Sequence, residues 1–249
     1  MSHLGPHTMS VADAALMLDV LAGPDARDWT ALPPPPAGWL ADLDAGIAGL
    51  RVAFSPTLGY AAVHPEIATA VEQAVEDLAD LGARVDPVDP GIADPLEITT
   101  GLWFTGSWTL WNMLTPEQQE VTDPDFAAQA ALGAELTSLD VQRRIELGSQ
   151  LRQFMERYDL LVTPSVAVPA FAARAAGHSP MTPESMLGWT PFSYPFNLSQ
   201  QPALTMPCST TRAGLPIGVQ FVGPMFADAV VLRAATAYSQ LHPVPRPPI

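Results

Sequence analysis

The sequence predicts an α/β protein with helices packed on a sheet of at least five strands. Three observations carry this. Residues 50–88 read as strand, amphipathic helix, strand. Short apolar runs at 159–164, 203–206 and 217–222 supply three more strands, set apart from the first two by helical patterns. Of the 249 residues, 48% are hydrophobic and 15% charged, a composition that can fill a sizeable core and argues against a disordered chain.

The elements follow in order. Ser10 is placed to cap a helix over the alanine-rich run that Gly23-Pro24 stops, so 1–23 is the first helical segment. Residues 24–49 form a proline-rich loop: Pro33 to Pro36 must be extended, and Trp29 and Trp39 are expected to pin the loop to the surface. Leu50–Phe54 is a short strand. His64-Pro65 then opens a helix in which Ile67, Ala70, Val71, Ala74, Val75, Leu78 and Leu81 recur at spacings of three and four. Glu66, Glu72, Glu76, Asp77 and Asp80 take its other face, and Gly82 ends it. With Ala83–Val88 as the next strand, this is a βαβ unit, hence a parallel pair with a right-handed crossover.

Residues 95–114 are helical and aromatic, and Trp103, Phe104, Trp108 and Trp111 are read as core before pocket. Residues 138–158 form a longer helix with Leu139, Ile145, Leu147, Leu151 and Phe154 among its apolar positions, followed by the buried strand 159–164. Proline from Pro164 to Pro195 predicts an extended segment with few regular elements. Ala203–Met206 and Ile217–Val222 are strands joined through Thr210 to Gly214, with Gly214-Leu215-Pro216 as a turn and Gln220 as a strand residue. Phe226–Leu241 closes the region 50–242 as a helix, and 243–249 is a loose tail.

Composition excludes several function classes. There are 26 acidic and 11 basic side chains, a net charge of −15, and every basic residue is arginine. Without lysine there is no Schiff base, phosphate-loop lysine or lysine general base. The charge repels nucleic acid, and the arginines cluster nowhere beyond Arg143-Arg144. The apolar stretches are too short for a membrane span, and Met1 to Pro6 lacks the pattern of a signal peptide, so a cytoplasmic location is expected. A single cysteine, Cys208, forms no internal disulfide or multi-cysteine metal site and reads as a small buried hydrophobe. His3, His7, His178 and His242 read as surface histidines, and His64, before a proline at a helix start, as one that caps the helix or faces solvent; Gly5-Pro6 keeps His3 and His7 off a regular helix. No Gly-x-Gly-x-x-Gly or Gly-x-Ser-x-Gly run is present, so neither cofactor nor metal is expected.

Two segments take the reading further. Ser2 to Ala15, continuing into Leu21-Ala22-Gly23-Pro24-Asp25, resembles the Gly-Pro-x-Thr-Arg-Ser/Thr-Val-x-Asp-Ala block of amidase signature enzymes and the Ala-Gly-x-Asp that follows it, with Met9 in place of the arginine. Pro195 to Cys208 and Gly214 to Pro224 resemble the family's Asn-x-Thr-Gly-x-Pro-Ala and Gly-Leu-Pro-x-Gly-x-Gln blocks, with Gln200 in place of the glycine, and Asp159 to Pro164 fits the strand upstream.

The resemblance implies that residues 1–249 are a single incomplete domain, the C-terminal part of the mixed-sheet amidase signature fold. These enzymes hydrolyse amides with a serine nucleophile, a second serine in a cis peptide and a lysine, and backbone N–H groups of a Gly/Ser-rich loop form the oxyanion hole. All lie upstream of the Gly-Pro-x-Thr block, so no catalytic residue carries over to this chain. The chain is expected to supply scaffold and one wall of the substrate pocket, and to be inactive alone. By position the wall residues are Trp189, Thr190, Phe192, Phe196 and Asn197, although Phe192 and Phe196 read equally well as core. Thr190 stands where the tRNA-dependent amidotransferases of the family carry a glutamine-binding acidic residue, which implies a less polar amide. A small-molecule amide would be a partner only once an N-terminal half completes the site. Self-association through an exposed sheet edge and apolar surface is also expected. The alternative is a non-catalytic remnant or binding module with the same fold.

Overall fold

Capping chemistry sets the first helix. Ser10 Oγ accepts from the backbone N–H of Asp13 at 3.1 Å and starts α1, Val11–Leu21. The computed structural model describes residues 3–27, 35, 38–133, 138–172 and 187–243. Among them follow β1 (Arg51–Phe54), α2 (Pro65–Asp80), β2 (Arg84–Pro87), α3 (Leu96–Trp111), α4 (Pro116–Glu120), α5 (Pro124–Leu132), α6 (Ser138–Met155), β3 (Leu160–Pro164), α7 (Tyr194–Ser199), β4 (Ala203–Thr210), β5 (Pro216–Val222) and α8 (Asp228–Leu241).

The strands form one mixed sheet in the order β2-β1-β3-β5-β4. β1 runs parallel to both β2 and β3, whereas β5 is antiparallel to β3 and β4. The expected βαβ unit is therefore present, and the last two strands form a hairpin whose turn carries Gly214 at φ +80, a value glycine adopts freely. Arg51 ties the start of β1 to that of β3: its guanidinium and backbone N–H both reach the Asp159 carboxylate, at 2.8 Å each.

The pleat sorts the core into two layers. Val52, Leu160, Val162, Val219 and Phe221 face one side, where Ile67, Val71, Ala74 and Leu78 of α2 and Val231, Leu232 and Tyr238 of α8 cover them. Ala53, Leu161 and Val222 face the other side and meet Phe154 and Met155 of α6 with Phe192 and Phe196. A third cluster joins Ile98 of α3, Leu147 and Leu151 of α6 and Leu198 of α7.

Several expectations need correction. α4 and α5 lie in a stretch where the sequence pattern suggested no element; their signals are Thr115-Pro116 with a reciprocal Thr115–Gln118 capping box, and Asp123-Pro124 with Asp123 as cap. α7 lies at the end of the proline-rich segment, because Pro195 sits in its first turn, where a missing N–H costs nothing. β4 extends to Thr210, with an irregularity between Pro207 and Ser209. Ile145 is 64% exposed on α6. Of the aromatic set on α3, Phe104 is core, Trp111 packs against Phe126 at 6.3 Å, and Trp103 and Trp108 are exposed. His64, by contrast, caps α2 as its place at the helix start suggests: its ring accepts from the Glu66 N–H. His242 ends α8 with Nε2 2.8 Å from Asp77 Oδ2. The tail at 244–249, His178, Trp29 and Pro33, Pro34 and Pro36 lie outside the described residues.

The sheet edges are β2 and β4. Apolar side chains stand open to solvent on α1 (Leu16, Met17, Val20, Leu21) and on α3 (Trp103, Trp108, Leu110).

Candidate functional site

The segment Leu187–Asn197 packs, through Phe192 and Phe196, on the sheet face that α6 covers, and is held at several points. Gln220, on the same face of β5 as Val222, donates from Nε2 to the Phe192 carbonyl at 2.8 Å and to Thr163 Oγ1 on β3 at 3.1 Å. Thr163 and Gln220 are directly paired across the two strands, so one amide joins both strands to the segment. Tyr60, just after β1, donates to the Pro191 carbonyl at 2.8 Å. Tyr194 donates to Asp94 Oδ1 at 2.7 Å. Burial, with Asp94 adding to it, pushes both phenols far above their ordinary range, so both remain neutral donors. Trp189 O accepts from the Ala167 N–H.

The five residues singled out from sequence divide into two groups. Phe192 (0% exposed) and Phe196 (2%) are core, packed against β1, β3 and α6. Trp189 is 38% exposed and meets Phe171 edge-on at 5.7 Å. Thr190 is half-buried, and its hydroxyl donates to Leu187 O at 2.8 Å. Asn197 is half-buried, with its side-chain oxygen 2.9 Å from His3 Nδ1, so the two blocks of family resemblance touch in space. One short segment thus leaves Trp189 exposed and Thr190 and Asn197 half-buried, and anchors itself through Phe192 and Phe196.

Sequence reasoning missed the supports Gln220, Thr163, Tyr60, Tyr194 and Asp94. For Gln220 and Thr163 a signal existed: each interrupts an otherwise apolar buried strand, and a buried polar group needs a partner.

No nucleophile–base pair stands in this region: among the described residues no serine or cysteine is hydrogen-bonded to a histidine. Cys208 is half-buried with its thiol toward Ile217 O, and burial pushes it up to about 11, so it is a poor nucleophile near neutrality. Among the described residues no cluster of three or more His, Cys, Asp or Glu could hold a metal ion.

The model of the Amidase family matches residues 1–232 of this sequence. The chain belongs to the amidase family. An acylamidase of Rhodococcus erythropolis is 34% identical over 249 residues, which cover 96% of this chain and 52% of that protein. An amidase of Pseudomonas putida is 28% identical over 248 residues, covering 96% and 53%. Among solved structures, a bacterial aryl acylamidase of the amidase signature family superposes with a TM-score of 0.83 at 24% identity, over 96% of this chain and 53% of that one. The 6-aminohexanoate cyclic dimer hydrolase complexed with substrate gives 0.79 at 23% identity, over 94% and 54%. The mixed sheet and its helices are thus an amidase signature fold, and this amidase-family chain spans about half the length of the curated relatives it matches.

Proposed function

We propose that this chain provides the scaffold and one wall of the substrate pocket of a hydrolase that cleaves the C–N bond of carboxamides. The catalytic serines and lysine come from residues outside it, in the same polypeptide or on a second chain. One pairing of facts carries the reading: the family model spans residues 1–232, yet the sequence contains no lysine. The wall is the segment Trp189–Asn197, in which Trp189, Thr190 and Asn197 face the substrate while Phe192 and Phe196 hold the backbone from behind. Thr190 in place of a carboxylate, the Trp189–Phe171 aromatic pair and the likeness to an acylamidase all support a weakly polar acyl amide as substrate. Among the described residues no helix is long and apolar enough to cross a membrane; the cytoplasm is the proposed location. The edges at β2 and β4 and the open faces of α1 and α3 are proposed to drive self-association when the chain is alone.

Complementation tests this. The purified chain is assayed on acetanilide and hexanamide, alone and co-expressed with the Ser-Ser-Lys segment of an amidase. The expected result is no hydrolysis alone and hydrolysis on complementation, abolished by replacing the supplied nucleophilic serine with alanine. Hydrolysis by the chain alone would overturn the claim of inactivity. A complemented, folded but inactive complex would favour the non-catalytic module.

A further inference from the structure

A cleft of about 400 Å³ lies between α6 and the end of α7, where Leu198 to Gln201 continue the chain directly from Asn197. Gly148 lines it, and a Cβ there would stand in ordinary van der Waals contact with Ser199 Cα, at 4.0 Å. The charged side chains lining the cleft are Arg144 and Arg152, and no carboxylate lines it. In a sequence with 26 acidic residues and 11 arginines this is a marked local inversion of charge. The neighbouring Arg143 shows the contrast, since it turns away to Glu97 at 2.7 Å and Asp140 at 3.7 Å. Among the described residues neither Arg144 nor Arg152 has a carboxylate partner. Arg144 spends its Nε on the Leu198 carbonyl at 2.9 Å, which fixes the guanidinium and leaves its terminal nitrogens for another acceptor. Eight residues, about 12 Å of helix, separate the two arginines on one face of α6.

Gln200 is a second, independent observation. It lines the same cleft and is the left-handed residue that ends α7, at φ 62 and ψ 30. Glycine takes this conformation without strain and glutamine does not, and glycine is the residue the family block carries there. The residue is exposed and puts an amide donor at the cleft mouth. Val141, Ile145 and Met225 add apolar surface beside the arginines.

We infer that this cleft is a binding site for an organic carboxylate. Its carboxylate would take charge-assisted hydrogen bonds from Arg144, Arg152 and the Gln200 amide, and its aliphatic or aryl body would lie on Val141, Ile145 and Met225. The inference does not depend on the proposed hydrolysis and is tested without it.

Calorimetric titration of the 249-residue chain at constant ionic strength uses hexanoate, with hexanamide as neutral isostere and inorganic phosphate as competitor. Saturable hexanoate binding is expected, with hexanamide at least about tenfold weaker. Arg152→Gln, at an exposed position that threatens no fold, should weaken hexanoate about tenfold. Gln200→Gly should weaken it several-fold while raising the melting temperature, a combination that a purely structural Gln200 would not produce. Three results would overturn the site: no saturable hexanoate binding, equal binding of hexanamide, or unchanged affinity in Arg152→Gln. Phosphate displacing hexanoate at equal concentration would overturn the organic class of ligand.

Discussion

Gln220 on β5 donates its side-chain amide to the backbone carbonyl of Phe192, 28 residues earlier, at 2.8 Å. The bond lies inside the protein, where an unmatched carbonyl costs more than the bond itself contributes. The segment proposed as the wall is therefore fixed to the sheet through its backbone, which leaves side chains such as Trp189 free to differ without loosening it.

Gln220→Leu removes both buried bonds and strands the Phe192 carbonyl. It should cost about 1–3 kcal/mol. Thr163→Val keeps the Phe192 bond and should cost about 0.5–1.5 kcal/mol. Urea denaturation of both variants checks the order; a larger loss for Thr163→Val would show that the amide's main role is strand pairing.

Phe192→Ala should cost about 3–5 kcal/mol, because a fully buried ring leaves a cavity between α6 and the sheet. Trp189→Ala should cost about 1 kcal/mol or less in stability, yet lower turnover of an aryl amide by the complemented enzyme. Equal stability losses would contradict the division into anchors and outward residues.

Cys208 should react slowly with an aromatic disulfide reagent. A free thiol ionises near 8.5, whereas burial raises this one to about 11, so at pH 8 its rate should fall about 100-fold below that of the unfolded chain. The sign for stability follows. Below the unfolded value both states hold the proton and stability is unaffected; between about 8.5 and about 11 the unfolded thiol ionises first and stability declines. The pH dependence of labelling in native and urea-unfolded protein measures both.

The Arg51 guanidinium, chiefly by hydrogen bonding, holds the Asp159 carboxyl below its usual range. A depressed carboxylate contributes stability above its unfolded pKa, about 3.9, and that contribution disappears as pH falls through the folded value. Both partners are partly exposed, with 49% and 32% of side-chain surface open, so Asp159→Asn should cost about 1 kcal/mol or less at pH 7 and progressively less as the pH falls and the carboxyl takes up its proton. Thermal melts of both proteins across that range give the comparison.

Much of the architecture is local and so was legible in the residues. The spacing of Ile67, Val71, Ala74 and Leu78 predicts the buried face of α2 without knowledge of its partner, because a helix of period 3.6 has one apolar side wherever it docks. The parallel β1–β2 pair follows from the same local pattern. α7 was illegible because proline count is a weak signal without knowing which turn each proline occupies. The same spacing argument failed for Ile145, since an apolar position on α6 is buried only where another element covers it, and there α6 borders a cleft.

By itself the sequence determined the α/β class, the family, the absence of a lysine and the segment proposed as the wall, all properties of composition or of neighbouring residues. Only the tertiary structure decided which residues of that segment are core and which are not, that Gln220 holds it from the sheet, and that two arginines with no carboxylate partner among the described residues share a cleft with a glutamine in the left-handed conformation. These depend on contacts between residues distant in the chain, where burial and hydrogen-bond satisfaction, rather than local propensity, select the arrangement.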